Sequence, residues 1–292
     1  MSAWDRGGRL VSVNLAATVQ QAAAGPGPYR ISAAGTPYVP AGDGGIVLGL
    51  RLGAGVFEHD GDHAAPGACL THPDPAAAFA LSAMACAGNP VEVRTGAAAG
   101  GSGAVLGKRG EPGSVIAVFT QDVLRLLRPG DQVAVRGRGQ GAECAVPDVA
   151  VRNAQPELLD RLPVAVSADA LAVRVSAVFP GRLAGNGIGR PTAMWDIDLQ
   201  LDENTASRWQ ASGLRLGDLI AIDDIDASFN AGYRRGWRSI GLVVHGGSPQ
   251  PGHGPGVIVL LSGPAERITI ELEPVGQAGL DEQTLLEVAR AG

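Results

Sequence analysis

Short runs of Val, Ile and Leu alternate with loops rich in Gly, Pro and Asp along most of the chain. Three of these runs lie close together, at residues 219–222, 240–244 and 257–261. Apolar runs of this length between turn residues are typical of β-strands. The loops around them carry His245, His253 and several aspartates and arginines, and polar loops at the rim of a rigid sheet commonly hold functional side chains. We therefore take this region as the centre of the molecule.

The same patterns predict further strands and a few short helices. Strands are expected near residues 10–19, 46–52, 114–119, 171–179, 195–201 and 267–273, and helices near 75–86, 121–127, 156–162 and 281–290. Asp74 and Asp281 stand where helix N-caps are expected, and Pro75 suits the first helical position. The predicted fold class is mainly β (α+β), with two β-rich lobes, one barrel-like and one sandwich-like.

Length and composition limit the possible architecture. A chain of 292 residues has room for two domains. We expect an N-terminal β-rich domain at 1–165 and a C-terminal β-rich domain at 166–292, which contains the Gly-His-Gly-Pro-Gly loop and the terminal helix. Apolar residues make up 45% and charged residues 18%, which indicates a globular protein, and the 43 glycines and 20 prolines favour many turns.

Charge and hydropathy argue against several classes of partner. The net charge is −6 and the basic residues are dispersed, so neither a nucleic acid nor an anionic membrane surface is an expected partner. The longest apolar stretch, residues 76–87, is too short to span a bilayer, and the first residues lack an apolar signal core. These features predict a cytoplasmic protein. The three cysteines have no Cys-x-x-Cys spacing and are expected to be buried thiols.

His245 and His253 are the main candidates for chemistry. His245 ends a predicted strand and His253 follows eight positions later between two glycines, so a hairpin-like loop could bring both rings to one rim. Asp224 and Asp226 in the neighbouring loop would add carboxylates. These donors suit a divalent metal such as zinc or manganese, which would activate a bound water. The structural alternative is that His245 caps its strand and the glycine-rich segment is a rigid turn.

A metal-free mechanism uses the same region. His245 or His253 would act as a general base oriented by Asp224 or Asp226, and nearby arginines, Arg234 and Arg238, would bind an anionic substrate.

Two further segments are candidate binding sites. Asp62 and His63 end the segment Glu-His-Asp-Gly-Asp-His, which is either a set of metal ligands or a solvated acidic turn. Lys108 and Arg109 follow a glycine-rich stretch at residues 95–107, which could cradle a substrate phosphate or carboxylate or could be a tightly turned loop.

Aspartates in other segments have a structural and a functional interpretation. In the alternating segment 195–201, Asp196 and Asp198 share one face of a predicted half-buried strand. On an exposed face they would be ordinary surface carboxylates, whereas in a cleft they could bind a metal or act as acid and base. Asp131 and Asp218 follow glycines before strands and are expected to bond their own turns.

Several motifs together resemble an uncharacterised prokaryotic family, domain of unknown function 4438. They are Leu-Arg-Leu-Gly-Asp at 214–218, Tyr-x-x-Gly-Trp-x-x-Ile-Gly-x-Val-Val-His at 233–245, Gly-His-Gly-Pro-Gly-Val at 252–257 and Gly-Lys-Arg-Gly at 107–110. The resemblance implies a β-rich fold in two parts, represented by a structural-genomics protein from a thermophilic bacterium, and implies no activity. The chain departs from the family pattern after Asp226, where Ala-Ser-Phe-Asn replaces the expected glycine-containing turn.

Two classes of function are consistent with these features. The first is a small-molecule enzyme, a hydrolase or lyase that uses His and Asp in acid–base or metal-assisted chemistry. The second is a non-catalytic β-barrel oligomer that binds a small ligand or a protein partner. A small-molecule substrate and a homo-oligomer are expected for the first class, and the identity of any cofactor stays open.

Overall fold

The computed structural model describes residues 4, 8–22, 27, 29–110, 113–209 and 211–292. Its strands are β1 (Val13–Val19), β2 (Arg30–Ile31), β3 (Pro37–Tyr38), β4 (Ile46–Val47), β5 (Gly67–Thr71), β6 (Pro90–Val93), β7 (Ser102–Arg109), β8 (Ser114–Phe119), β9 (Gln132–Gly137), β10 (Ala150–Val151), β11 (Val164–Val166), β12 (Leu171–Val175), β13 (Ala177–Pro180), β14 (Ile197–Asp198), β15 (Leu219–Asp226), β16 (Gly232–His245), β17 (Gly256–Pro264) and β18 (Ile268–Leu272). Its α-helices are α1 (Pro75–Met84), α2 (Gln121–Leu126), α3 (Pro156–Leu159), α4 (Glu203–Ala206) and α5 (Glu282–Ala291).

Six antiparallel strands close into a barrel. Their order is β1, β9, β6, β7, β8 and β5, and β5 returns to β1 through the pairs Thr18 with Thr71 and Val19 with Leu70. β4 adds to the outer edge of β5. Closure leaves these six strands no free edge, and alternate apolar side chains such as Leu70, Val105 and Phe119 fill the interior.

The second large sheet packs against one side of the barrel. Its strands run in the order β10, β17, β16, β15 and β13, and β14 pairs with β17. Leu106 and Ile116 of the barrel join Leu242 and Ile258 of this sheet in one hydrophobic cluster. Gly107 permits the close approach, because a Cβ there would lie 2.7 Å from Val244.

The opposite face of this sheet is also buried. Ile220, Val243 and Val257 pack there against Leu199 and Leu214 from the loops that cover the sheet. Burial on both faces explains why the central strands appear in the sequence as continuous apolar runs. A three-stranded sheet, β11-β12-β18, and the hairpin β2-β3 complete the strands.

The predicted fold class is confirmed. The protein is mainly β, with a closed barrel, several further sheets and a few short helices. The predicted division into domains 1–165 and 166–292 stays a prediction. β10 pairs across that boundary with β17, so the second sheet draws strands from both sides of it.

The capped helices lie where the sequence predicts them. Asp74 accepts a hydrogen bond from the Ala77 N–H at the start of α1, and Asp281 accepts one from Thr284 at the start of α5. Asp131 and Asp218 accept hydrogen bonds from the backbone N–H groups of Arg128 and Arg215, as their turn positions predict.

Three predictions of local structure are wrong. Residues 46–52 form a strand only at Ile46–Val47, and residues 195–201 only at Ile197–Asp198. The second segment ends because the Leu199 N–H still donates to Pro255 O in register with β17, but Pro255 has no N–H to return the bond. The glycine-rich stretch 95–107 is a turn, as one alternative predicts, only before Ser102, and from Ser102 onward it is strand β7.

The described residues include every helix that could be tested for membrane spanning and all three cysteines. Among them, no helix is both long and apolar enough to cross a membrane. None of the three cysteines forms a disulfide and all three are buried, and burial raises the pKa of both Cys69 and Cys86 to about 11. These two thiols are therefore poor nucleophiles and poor metal ligands near neutral pH.

Candidate metal centre

The pairing of strand β17 brings Asp198 and His245 together. Gly256 of β17 is paired with Asp198 of β14 on one side and with His245 of β16 on the other. A Cβ at Gly256 would lie 1.8 Å from His245 Nε2, so glycine leaves the space that the imidazole fills. Asp196 precedes Asp198 by two residues and its carboxylate reaches the same ring, 2.7 Å from Nε2.

The loop after β4 adds His63. Its backbone has a φ of 55°, a left-handed conformation that is uncommon for histidine. Two hydrogen bonds hold the segment: the Asp62 N–H donates to Ala41 O and the His63 N–H donates to Gly247 O. Residues in such conformations persist where the surroundings fix them and are frequent at functional sites.

The turn between β16 and β17 adds His253. The Asn186 N–H donates to Gly252 O, and a Cβ at Gly254 would lie 1.8 Å from Leu199 O. The glycines on either side of His253 therefore allow the turn to pack directly on the segment that carries Asp198. His253 keeps part of its side chain, 16%, exposed to solvent.

Three donor atoms converge at the exposed side of the cluster. His63 Nε2 lies 3.0 Å from His253 Nδ1, and Asp198 Oδ2 lies 2.7 Å from His253 Nδ1 and 3.5 Å from His63 Nε2. Ligands bound at about 2.0–2.2 Å from one ion are separated from each other by roughly 3–3.5 Å. These three residues could therefore hold a metal ion.

A second set of donors lies on the inner side of the cluster. His245 Nε2 is 2.7 Å from Asp196 Oδ2 and 3.3 Å from Asp198 Oδ1. Asp196 and Asp198 are buried, with 4% and 2% of their surface exposed, and His245 is fully buried. The exposed-face alternative for the two aspartates is therefore wrong, because loops cover this face of the sheet.

Asp62 connects the cluster to surrounding side chains. His63 Nδ1 lies 2.6 Å from Asp62 Oδ1, and the same carboxylate accepts hydrogen bonds from Arg30, Tyr38 and Ser248. A carboxylate on one ring nitrogen orients a histidine and leaves its other nitrogen available for a metal. The solvated acidic turn predicted as one alternative is wrong for Asp62 and His63, which are both buried.

These contacts shift the pKa values of the central groups. Burial opposes ionisation of Asp62, but contacts with His63, Ser248 and Tyr38 outweigh it and hold the pKa of Asp62 well below its usual range. Burial likewise opposes the charge on Asp198, yet its three histidine neighbours keep the pKa of this carboxyl low. Burial also opposes the His245 cation, but Asp196 and Asp198 raise the pKa of that ring to about 9.

The cluster carries an excess of negative charge when its histidines are neutral. Two guanidinium groups face four carboxylates in one connected, largely buried network; the members are Arg30, Arg109, Asp43, Asp62, Asp196 and Asp198. Uncompensated buried charge is costly, so this arrangement favours binding of a cation or protonation of the histidines.

A cavity lies beside the cluster. It has a volume of about 410 Å³, and Asp62 lies in its wall. Val56, Phe57 and Leu201 give it apolar surface, while Asp202 and Glu203 add carboxylates. This volume lies within the range that holds a small molecule.

The structure separates Asp224 and Asp226 from the histidines. Asp226 pairs with Gly232 at the start of β16, whereas His245 ends that strand of 14 residues. Asp226 accepts a hydrogen bond from Arg234, and Asp224 accepts one from the Gly236 N–H. Both aspartates therefore stabilise their own hairpin, and we leave them out of the candidate site.

The predicted substrate-binding cations are also bound elsewhere. Arg234 is exposed and stacks on Trp237, and Arg238 pairs with Asp223 and donates to Ile268 O. These contacts lie at the Asp226 end of the sheet, away from His245.

Lys108 and Arg109 do not form an exposed anion cradle. Lys108 is fully buried and donates to Ser82 O and Ala193 O, and burial lowers its pKa to about 8. Arg109 is buried against Asp43. Because both belong to a strand packed on the second sheet, their side chains point into protein and not into a loop.

Sequence reasoning placed His63, His245, His253 and Asp62 among the metal ligands, and the structure brings all four into one cluster. The sequence makes the central carboxylates Asp196 and Asp198 candidates only if their strand face lines a cleft, and the alternation of residues 195–201 is the signal. Arg30, Tyr38 and Asp43 carry no comparable signal, because nothing in a single sequence links them to His63.

Comparison with known proteins identifies the family. Residues 29–160 match the family described as Domain of unknown function (DUF4438), N-terminal, and residues 161–278 match Domain of unknown function (DUF4438), C-terminal. The chain belongs to the DUF4438 family. It is also similar to the protein of the "Crystal structure of TM1086", with 33% sequence identity, a TM-score of 0.88, and coverage of 93% of this chain and 95% of that one. The search of curated proteins found no match.

Proposed function

We propose that this DUF4438 protein is a metal-dependent hydrolase of a small molecule, in which His63, Asp198 and His253 bind a divalent cation. One observation carries the proposal: the donor atoms of these residues lie 2.7–3.5 Å apart. Two imidazoles and a carboxylate suit zinc, manganese or iron. Three protein ligands leave coordination positions for water and substrate.

The proposed reaction is attack by a metal-bound water. A cation held by His63, Asp198 and His253 would lower the pKa of a bound water, so that hydroxide would form near neutral pH. The hydroxide would attack the carbonyl carbon of an ester or amide, and the alcohol or amine would leave with a proton from solvent. Asp62 supports this role by its negative charge, since its Oδ1 lies 2.6 Å from His63 Nδ1 in a contact without hydrogen-bond geometry. The partial exposure of His253 supports access from solvent at this side of the cluster.

The adjacent cavity supports a neutral or cationic substrate. Asp60, Asp62, Asp202 and Glu203 line it, and among the lining residues that the structure describes there is no lysine or arginine. Carboxylates repel an anion at close range and attract an ammonium group. We therefore propose that the substrate is a neutral or cationic ester or amide. This substrate replaces the anionic one that the sequence predicts from Arg234 and Arg238. Homo-oligomerisation stays a prediction.

The test compares metal-free and metal-loaded protein on a panel of neutral and cationic esters and amides. Hydrolysis should require added zinc or manganese, and it should fall to background in His253→Ala. His72→Ala is the matched control, since the His72 ring only accepts a hydrogen bond from the Asp74 N–H before α1. Hydrolysis that survives complete metal removal, or that is equal in the two variants, would contradict the proposal.

A further inference from the structure

We propose that the cluster binds a second divalent cation, held by Asp196, His245 and the Oδ1 atom of Asp198. This inference rests on the proposed function, because the first cation would occupy the Oδ2 side of the same Asp198 carboxylate. The centre would then be a pair of metal ions bridged by Asp198.

The orientation of the His245 ring is the first argument. Its Nδ1 lies 2.9 Å from Gly246 O, and a carbonyl oxygen can only accept a hydrogen bond, so Nδ1 carries the hydrogen. In a neutral ring Nε2 therefore presents a lone pair. It faces carboxylate oxygens of Asp196 at 2.7 Å and of Asp198 at 3.3 Å. Three electron-rich atoms at this spacing need positive charge between them, either a proton on Nε2 or a divalent cation that replaces this proton. Metal-bound histidines commonly have such a carbonyl partner on the other nitrogen.

The two oxygens of Asp198 are the second argument. Oδ2 contacts His253 and His63, whereas Oδ1 is buried and has no hydrogen bond among the residues that the structure describes. A buried carboxylate oxygen without a donor is costly unless a cation supplies the missing interaction. A carboxylate that binds one ion through each oxygen suits the roughly 3.5–4 Å spacing of two-metal hydrolytic centres.

Charge gives the second ion a defined chemical partner. The network carries two negative charges with neutral histidines, so one divalent ion neutralises it. A second ion would add two positive charges, which favours a hydroxide between the ions. This hydroxide would form when a bound water releases its proton to solvent. That hydroxide would be the nucleophile, and the second ion would stabilise the oxygen on which charge develops.

Burial predicts the order of binding. The donors of the second position are at most 5% exposed, whereas His253 at the first position is 16% exposed. The inner ion would therefore enter from the His253 side, and we expect it to be the slower of the two to leave.

The experiment titrates metal-free protein with Mn²⁺ and measures bound ions per chain by equilibrium dialysis with elemental analysis. Electron paramagnetic resonance of the same samples reports whether two Mn²⁺ ions are spin-coupled. Wild type should bind two ions per chain with coupling. Asp196→Asn should bind one ion without coupling, and His245→Asn should do the same if the first variant fails to fold. Asp224→Asn changes an exposed carboxylate that lies outside the candidate site, and this variant should match wild type.

The outcomes separate this inference from the proposed function. One ion per chain in wild type, lost in His253→Ala and kept in Asp196→Asn, overturns the second ion and leaves the first. The absence of any bound ion in wild type overturns both. If wild type binds two ions and Asp196→Asn also binds two, the inference is overturned as well, because the second ion would then lie elsewhere.

Discussion

Gly256→Ala tests how the second sheet builds the cluster. The added Cβ would lie 1.8 Å from His245 Nε2, 2.3 Å from its Cδ2 and 2.4 Å from its Cε1, so it would occupy the space of the ring itself. The ring cannot move easily, because it is fully buried and bonded to Gly246 O. We therefore expect His245 to lose its contact with Asp196.

The cost of this change follows from the charges left behind. Removing one partner of a buried ion pair commonly costs about 3–5 kcal/mol, because the other charge stays buried without compensation. We expect the free energy of unfolding of metal-free Gly256→Ala to fall by about this amount, and Mn²⁺ binding to fall by one equivalent per chain. Chemical denaturation and metal analysis measure the two effects.

Gly232→Ala is the matched control for the same sheet. Among the described residues, no atom outside Gly232 and its two chain neighbours lies within 4 Å of the added Cβ, so unfolding and metal binding should change little. If Gly256→Ala unfolds at the same denaturant concentration as Gly232→Ala and binds the same number of ions, the added Cβ does not displace His245 and the prediction is wrong.

Three further predictions concern other residues. Burial lowers the pKa of Lys108 from 10.5 to about 8, so between these pH values the unfolded chain binds more protons than the folded chain. The unfolding free energy of wild type relative to Lys108→Met should therefore rise across this pH window by on the order of 3 kcal/mol. Chemical denaturation as a function of pH measures this difference. Asp62→Asn should weaken metal affinity by roughly 10–100-fold, because it removes the carboxylate beside His63 Nδ1. Asp60→Asn should not weaken metal affinity, and calorimetric titration compares the two variants. Asp226→Asn should leave metal affinity unchanged and lower the free energy of unfolding by less than about 1 kcal/mol, since it breaks only a surface ion pair. An equal loss of metal affinity in Asp226→Asn and Asp62→Asn would contradict the placement of the site.

The sequence predicts the fold class well because the signals are local. Alternation and turn residues indicate the strands, and capping residues such as Asp74 and Asp281 locate the helices. Closure of the barrel is different, because it depends on the pairing of β1 with β5, more than 50 residues apart in sequence. No local pattern determines that pairing.

The sequence identifies the residue types that could form the candidate site, but it does not show which of these residues lie together. His63, His245 and His253 come from separate segments, and their side-chain chemistry alone makes them candidates. The choice between Asp198 and Asp226 as the carboxylate depended on long-range pairing. Asp226 is nearer to His245 in sequence, but Asp198 is brought to it through Gly256.

Burial explains the remaining errors. Lys108 and Arg109 have the composition of an anion-binding loop, yet they belong to a strand with both faces covered. Asp196 and Asp198 have the alternation of a solvated strand face, yet the segment is covered by loops. In both cases the second covering layer comes from distant parts of the chain, which a single sequence does not reveal.

The most direct test of the central claim is X-ray diffraction from crystals of zinc-loaded protein, with data collected on both sides of the zinc absorption edge. A zinc ion held by the proposed ligands would give an anomalous peak about 2.0–2.2 Å from His63 Nε2, His253 Nδ1 and Asp198 Oδ2. Zinc bound to the protein in solution but located away from these three atoms, or a cluster in which they bond directly to each other in zinc-loaded crystals, would contradict the central claim.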